Sequence, residues 1–149
     1  MTSTTLSSCL KCFYMIAGTG ATTVTTAARN LFAEANFATR SSAGSYIGYN
    51  TTNNQITFSH TGTRYIEVLF VGAGGANTTG QSTTVSFVLS GVTQKSISVY
   101  STGTVGVPKE ICMTDIYAVT SSSTFQINYS GGTNSYVGGG SVVIVTFIN

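Results

Sequence analysis

The sequence predicts an all-β domain made of two antiparallel sheets that pack face to face. Short runs of residues alternate between apolar and polar side chains along most of the 149-residue chain, which is the period-two pattern of half-buried strands. Clusters of Gly, Ser, Thr and Asn separate the runs, and such clusters mark turns. Some strands are apolar on both faces and others on one face only. Two kinds of strand indicate two sheets in different surroundings.

The strand 65–71 is the clearest member of the first kind. One face carries only apolar side chains, and the other is nearly apolar: Ile66, Val68 and Phe70 alternate with Tyr65, Glu67, Leu69 and Val71. An antiparallel strand in a soluble monomer usually shows water a polar face, so the second face needs a cover. No predicted helix is long enough to provide it. We therefore expect another copy of the chain to cover this face.

The other elements follow the same division. Strands 10–17 and 142–148 are apolar on both faces, and 111–119 is mixed, whereas 55–59, 83–89, 95–100 and 124–130 are apolar on one face. The strands on either side of Gly91 are predicted to form a hairpin. The only predicted helix is short and covers 27–35, and Gly-rich loops are predicted at 72–81 and 131–140. We expect a single domain over 1–149, with 1–8 as a flexible N-terminal arm.

Composition excludes several classes of function. Charged residues make up only 7% of the chain and the net charge is +2, and the six Lys and Arg residues are scattered, so the basic patch of a nucleic-acid-binding protein is missing. No apolar run reaches the ~20 residues of a membrane-spanning helix. The start of the chain lacks a basic segment, and Lys11 interrupts its apolar run, so we expect no secretory signal.

The candidates for chemistry are few, and we expect no enzyme activity, metal or cofactor. Cys9, Cys12 and Cys112 fit reduced, partly buried thiols better than disulfides. With His60 they could supply four zinc ligands, and His60 with Asp115 and a serine could form a catalytic triad, but no nucleophile-elbow motif supports it. The acidic residues are too few and too dispersed for a calcium site.

Glu67 is the unusual charge, because it lies on an otherwise apolar face. Burying it alone would be costly, so it either pairs with a cation such as Lys11, Arg64 or a neighbouring copy's equivalent, or lies in water at the rim of an interface.

The order of motifs resembles the trimeric jelly rolls of the tumour-necrosis-factor and complement-globular-head superfamily. The resemblance rests on Ile56-Thr-Phe-Ser-His-Thr-Gly62 running into Tyr65-Ile-Glu-Val-Leu69, on the hairpin around Gly91, and on the closing stretch Gly138-Gly-Gly-Ser-Val-Val-Ile-Val-Thr-Phe147. It implies a two-sheet antiparallel β-sandwich of jelly-roll type. It also implies that the strands with two apolar faces form the sheet around a three-fold axis. Arg64 stands where the family commonly has Tyr, which leaves open whether Tyr65 points to the interface or to the core.

The face pattern and the resemblance together give a set of expected interface residues, which are Tyr14, Tyr65, Glu67, Leu69, Val71, Tyr117, Ile144 and Thr146. A homotrimer is the first expectation, and a pentamer stays open.

Two functions fit these observations. The first is a structural or surface protein of a virus particle, such as a spike, decoration or minor capsid protein that contacts other virion proteins. The second is the receptor- or glycan-binding head of an adhesin, fibre or spore-surface filament, with Asn77, Asn134 and Tyr136 in its binding loops. The first predicts location in the virion, and the second an extracellular or cell-surface location. A secreted cytokine-like ligand is less favoured because no signal is evident.

Overall fold

A computed structural model describes residues 13–19, 22–23, 27–76, 78–100, 108–132, 135–137 and 141–148. Thirteen strands are described, in the order β1 Phe13–Ala17, β2 Thr22–Thr23, β3 Arg29–Asn30, β4 Thr39–Ala43, β5 Ile47–Asn50, β6 Gln55–Phe58, β7 Arg64–Ala76, β8 Ser82–Leu89, β9 Val92–Tyr100, β10 Lys109–Val119, β11 Thr124–Gly131, β12 Ser135–Val137 and β13 Val142–Phe147. The predicted arm 1–8 lies outside the described residues.

The strands form two antiparallel sheets. Sheet I contains β2, β12, β7, β13, β1 and β4 in that order. β10 also belongs to this sheet and pairs with residues 64–74 of β7. Sheet II contains β5, β6, β11, β8 and β9 in that order, and β3 pairs with β11. The strands predicted to be apolar on both faces, together with the mixed strand β10, all fall in sheet I. The strands predicted to be apolar on one face all fall in sheet II. The two-sheet, all-β prediction is therefore confirmed.

One continuous core lies between the sheets. Sheet I contributes alternate residues such as Ile66, Val68 and Phe70 of β7, all with no exposed surface. Sheet II contributes large rings, and Phe87 contacts Phe125 edge-on with 5.6 Å between ring centroids. Alternation along each strand sends one side chain of every two into this layer. What remains on the outside of each sheet is therefore fixed by the strand register.

The hairpin around Gly91 is confirmed, and its turn has only two residues. Leu89 pairs with Val92, while Ser90 and Gly91 have φ of 48° and 82°. Two successive residues with positive φ are typical of a type I′ turn, whose twist matches that of the flanking strands. Register therefore passes from β8 to β9 with a single irregularity, between Phe87 and Val88.

Residues 27–35, where at most one short helix was expected, contain no α-helix. The structure has two short 3-10 helices, Leu31–Ala33 and Ala35–Phe37, preceded by β3. Nine residues are too few to repay helix nucleation in water, and Leu31, Phe32 and Phe37 are buried in the core instead. These buried side chains pack the 3-10 segment against the sandwich.

The 3-10 segment is held by a partly buried polar contact. The Tyr129 hydroxyl donates a hydrogen bond of 2.6 Å to Glu34 Oε1, and Arg29 Nη2 lies 2.9 Å from the same oxygen. Both partners stabilise the carboxylate in its partly buried position.

Both predicted Gly-rich loops contain strand. β7 continues through Gly72, Gly74 and Gly75 to Ala76, and β12 occupies Ser135–Val137 and pairs with it. A side chain at Gly74 would collide with Ile111, so these glycines permit close packing and do not mark a turn.

Candidate interaction surface on the outside of sheet I

The outward side of sheet I carries a broad apolar surface, which we name the apolar face. On β7 the residues Tyr65, Glu67 and Val71 are exposed and Leu69 is half-buried, while the residues between them are buried. The same alternation runs along β10 and β13. The apolar face therefore consists of residues 65, 67, 69 and 71 of β7, the even-numbered residues 112–118 of β10 and 142–146 of β13, Ile148 just after β13, and Met15 and Ala17 of β1.

Strand pairing arranges these residues in rows across the sheet. One row joins Met15, Ile144, Leu69 and Thr114, and the next joins Ala17, Val142, Val71 and Cys112. Directly paired residues on one face lie about 4.5–5.5 Å apart between Cβ atoms. The rows therefore form a contiguous surface across four strands.

Several large apolar side chains on this surface remain in contact with water. Tyr65, Val71, Ile116 and Ile148 are 47%, 40%, 54% and 43% exposed. Scattered exposed apolar residues are normal, but a contiguous group marks an interaction site. The apolar face has the composition of a surface that another molecule covers.

Glu67 lies within this face and not at its edge. It pairs with Ile116 on one side and Thr146 on the other. It is exposed, and none of the residues that the structure describes forms an ion pair with it. The Arg64 guanidinium, an expected partner, lies instead 5.3 Å from the centroid of the Tyr46 ring, and Lys11 lies outside the described residues. In the single chain water solvates the Glu67 carboxylate.

Six of the expected interface residues lie on the apolar face, namely Tyr65, Glu67, Leu69, Val71, Ile144 and Thr146. Tyr65 points outward, which answers the question left open by Arg64. The interface itself stays a proposal.

The other two expected interface residues, Tyr14 and Tyr117, point to the core side of sheet I in the single chain. Tyr14 is only 9% exposed, and its ring stacks on Tyr49 with 6.0 Å between centroids. Tyr117 packs edge-on against Phe87 at 6.4 Å. Burial raises the pKa of Tyr14, and burial followed by the charge of Asp115 raises the pKa of Tyr117 to about 12. Both rings help to fill the core.

Residues of the same face that the sequence interpretation left out of the interface set are Met15, Ile116, Val142 and Ile148. Their signal was the period-two geometry of a strand, which assigns every second residue to one side. On β10 the alternation was ambiguous, because both faces mix polar and apolar residues. The buried residues Ile111 and Met113 settle which side faces the core.

The expected binding-loop residues are only partly described. Asn77 and Asn134 lie outside the described residues. The backbone of Tyr136 lies in β12 and pairs with Thr23 and Gly75, so placing Tyr136 in a loop was wrong.

Among the described residues, His60, Cys112 and Asp115 do not form a common metal-binding group. His60 is 5% exposed and its ring packs edge-on against Phe147 at 5.1 Å, whereas Cys112 is exposed on the apolar face. The expectation that Cys112 is partly buried is therefore wrong for the single chain. Asp115 lies 3.7 Å from Lys95 and accepts a hydrogen bond from the Tyr117 hydroxyl. Cys9 and Cys12 lie outside the described residues.

Within the described ranges, no three His, Cys, Asp or Glu side chains are grouped closely enough to hold a metal ion. The described part of the chain also contains no helix long and apolar enough to cross a membrane.

Comparison with known proteins supports the fold. No family model matches the sequence, and no curated protein matches it. The structure is similar to Eiger TNF from S. frugiperda (TM-score 0.57, 9% identity, 93% of this chain and 94% of that chain covered). It is similar to murine APRIL (TM-score 0.58, 9% identity, 91% and 98% covered) and to the PRD1 vertex protein P5 (TM-score 0.57, 10% identity, 94% and 99% covered). These similarities show that the chain has a jelly-roll fold like that of these three proteins.

Proposed function

We propose that this chain is a non-enzymatic structural or surface protein of a virus particle that works as a closed ring of identical copies, most simply a homotrimer. The observation that carries the proposal is the apolar face of sheet I. A surface of this kind on an abundant particle protein would cause aggregation unless a partner covered it. Another copy of the chain is the simplest partner, because every copy carries the same face.

The energetics support self-association. A large apolar side chain contributes about 1.5–3 kcal/mol when it passes from full exposure to full burial. The four most exposed residues of the apolar face are close to half exposed in the single chain. Covering their exposed part on assembly therefore gives part of this free energy for each copy. The gain over several copies is comparable with an association cost of about 4–15 kcal/mol.

The particle role is supported by the similarity to the PRD1 vertex protein. The titratable residues among the described positions are dispersed and form no cluster for chemistry. This supports a role that depends on contacts made by the surfaces of the molecule.

The assembly is tested by native mass spectrometry and sedimentation of the full chain. We expect a closed ring, and its mass separates a trimer from a pentamer. Ile116→Asp places a second carboxylate opposite Glu67 and should give folded monomers. Val92→Asp is the matched control, because Val92 is 61% exposed on sheet II and its substitution should leave the ring intact. A wild-type chain that stays monomeric at high micromolar concentration contradicts the proposal.

The particle role needs a separate experiment. Antibodies against the chain should label purified particles from cultures of the organism that carries the gene. Antigen found only outside the particle fraction argues against the virion role and leaves the assembly result standing.

A further inference from the structure

The outward side of sheet II, which we name the polar face, carries a chain of hydrogen-bonded amides. Gln55 Nε2 donates to Gln126 Oε1 at 2.7 Å, and Gln126 Nε2 donates to Asn128 Oδ1 at 2.6 Å. The run ends at the Asn128 amide, whose two N–H groups have no acceptor among the described residues. The contacts hold three long polar side chains in fixed positions while leaving donors that face water.

Two hydroxyl pairs continue this surface across β8 and β9. Ser86 Oγ and Ser96 Oγ are 2.7 Å apart, and Thr84 Oγ1 and Ser98 Oγ are 2.6 Å apart. Asn128 pairs with Ser86, and Ser86 with Ser96, so the amide chain runs directly into the first pair. In each pair one hydroxyl hydrogen is used, and the second hydroxyl can still donate outward.

An exposed aromatic ring borders the hydroxyl pairs. Tyr100 is 57% exposed and follows Ser98 by two positions on β9, so it lies on the same side of the sheet about 6.8 Å further along. A tyrosine ring offers a rigid apolar plane with a polar tip. Here it stands beside fixed hydrogen-bonding groups and not in an apolar patch.

Among the described residues of sheet II, only Arg29 of β3 and Lys95 of β9 are charged, and neither lies on the polar face. Arg29 pairs with the inward-facing Tyr129 and forms an ion pair of 2.9 Å with Glu34. The one charged residue of β9, Lys95, reaches over the edge of the sheet, where its Nζ donates to the Thr114 carbonyl oxygen at 2.8 Å and lies 3.7 Å from Asp115. A charged ligand would therefore find no opposite charge on this surface. The complementary ligand is neutral, rich in hydroxyl groups that both donate and accept, and apolar on one side.

We propose that the polar face binds a neutral oligosaccharide, with the Tyr100 ring against the C–H face of one sugar ring and Asn128 and the hydroxyl pairs bonded to its hydroxyl groups. The hydrogen bonds already present hold the side chains in place, so little side-chain entropy is lost on binding. A protein partner is less well matched, because protein interfaces centre on buried aromatic or Arg anchors in an apolar patch. Among the described residues of the polar face, Tyr100 is the one exposed ring, and it stands at one end.

The test uses the full chain with monovalent sugars, so that self-assembly adds no avidity. NMR titration measures the binding of three neutral sugars, which are cellohexaose, maltohexaose and N-acetyllactosamine. The same titration is made with sialylated and sulfated glycans of matching length. We expect at least one neutral oligosaccharide to bind and to shift the amide signals of β8, β9 and β11. Tyr100→Ala and Asn128→Asp should each weaken binding about tenfold or more. Tyr100→Phe, which keeps the ring, and Val92→Ala, at the far end of the same strand, should bind like the wild type.

Three results would overturn the proposal. One is that none of the three neutral sugars binds at millimolar concentration. Another is that only acidic glycans bind. The last is that a neutral sugar binds equally well to the Tyr100→Ala and Asn128→Asp variants. None of these results bears on the ring assembly, because all the substituted positions lie on sheet II.

Discussion

The two outward faces of this sandwich differ in nearly every property that decides what a surface contacts. The apolar face of sheet I exposes Tyr65, Val71, Ile116 and Ile148 to water, each by about half of its surface. The polar face of sheet II ties its Ser, Thr, Asn and Gln side chains to one another. Both sheets pack against one core. The difference between the two faces therefore comes from the residues that point outward and not from the fold.

Stability and recognition depend on alternate residues of the same strands. Over 65–71 of β7 the even-numbered residues build the core and the odd-numbered residues build a surface, and over 82–87 of β8 the parity is reversed. Neighbouring positions of a strand face opposite sides. A substitution at one position should therefore affect folding, and a substitution at the next should affect contacts.

The largest effect is expected from the core that both faces share. Phe87 is fully buried and contacts Phe125 and Tyr117, and Phe87→Ala should lower the free energy of unfolding by about 3–5 kcal/mol because it leaves a cavity. Urea denaturation of dilute protein measures it, with Val92→Ala as an exposed control that should change little. If Tyr65→Ala were as destabilising as Phe87→Ala in dilute monomer, the apolar face would belong to the folding core.

A smaller loss is expected where sheet II anchors the 3-10 segment. Tyr129 is 1% exposed and donates to Glu34. Tyr129→Phe should lower the free energy of unfolding by about 1.5–3 kcal/mol, the usual range for a hydrogen bond to a charged group. Thermal and urea denaturation measure it. Tyr117→Phe, which removes a longer bond to the half-buried Asp115, is the control and should lose less; equal losses would show that the Glu34 anchor has no special weight.

Glu67 also distinguishes the two faces, because it places a charge within the apolar face. If copies cover this face, Glu67→Gln should lower the dissociation constant of the ring about tenfold, or about 1.4 kcal/mol, since an uncompensated carboxylate is costly to bury. Sedimentation at a series of concentrations measures it. Glu110→Gln, at the end of β10 beside Ala73, is the control. An unchanged constant for Glu67→Gln would place the carboxylate in water within the assembly.

The smallest effect is a loss of stability at alkaline pH. The Tyr117 pKa is raised from 10.0 to about 12, so between these values the unfolded chain loses this proton and the folded chain keeps it. The free energy of unfolding should therefore fall as pH rises from 10 to 12. The raised pKa values of Tyr14 and Tyr129 act in the same direction. Urea denaturation at pH 9, 10 and 11 should show a shallower decline for Tyr117→Phe, and an identical decline would exclude this tyrosine as a source.

Much of the fold was predictable, because period-two alternation reports directly on burial. It separated the strands of the two sheets and placed Tyr65, Leu69 and Ile144 on one surface. It failed where both faces of a strand are apolar: nothing in β1 indicates that Tyr14 faces the core, since the choice depends on its stacking with Tyr49 of another strand. The glycines of β7 were interpreted as a loop, because local composition does not reveal that a neighbour such as Ile111 fills the space above them.

The polar face was predictable only in part. The alternation of β9 places Tyr100 with Ser96 and Ser98, and that signal is present in the sequence. The hydrogen bonds between Gln55, Gln126 and Asn128 depend on which residues of β6 and β11 lie opposite each other. Strand register of that kind cannot be obtained from the alternation within one strand.

The tight connection between β8 and β9 gives experimenters a place to attach probes. A side chain at Gly91 would meet no other atom nearby, and this turn projects from the end of the hairpin. A fluorophore coupled through Ser90→Cys, with Cys9, Cys12 and Cys112 replaced by serine, would therefore leave both broad surfaces uncovered. Immobilised or labelled protein prepared in this way could report on ring formation and on sugar capture in the same sample.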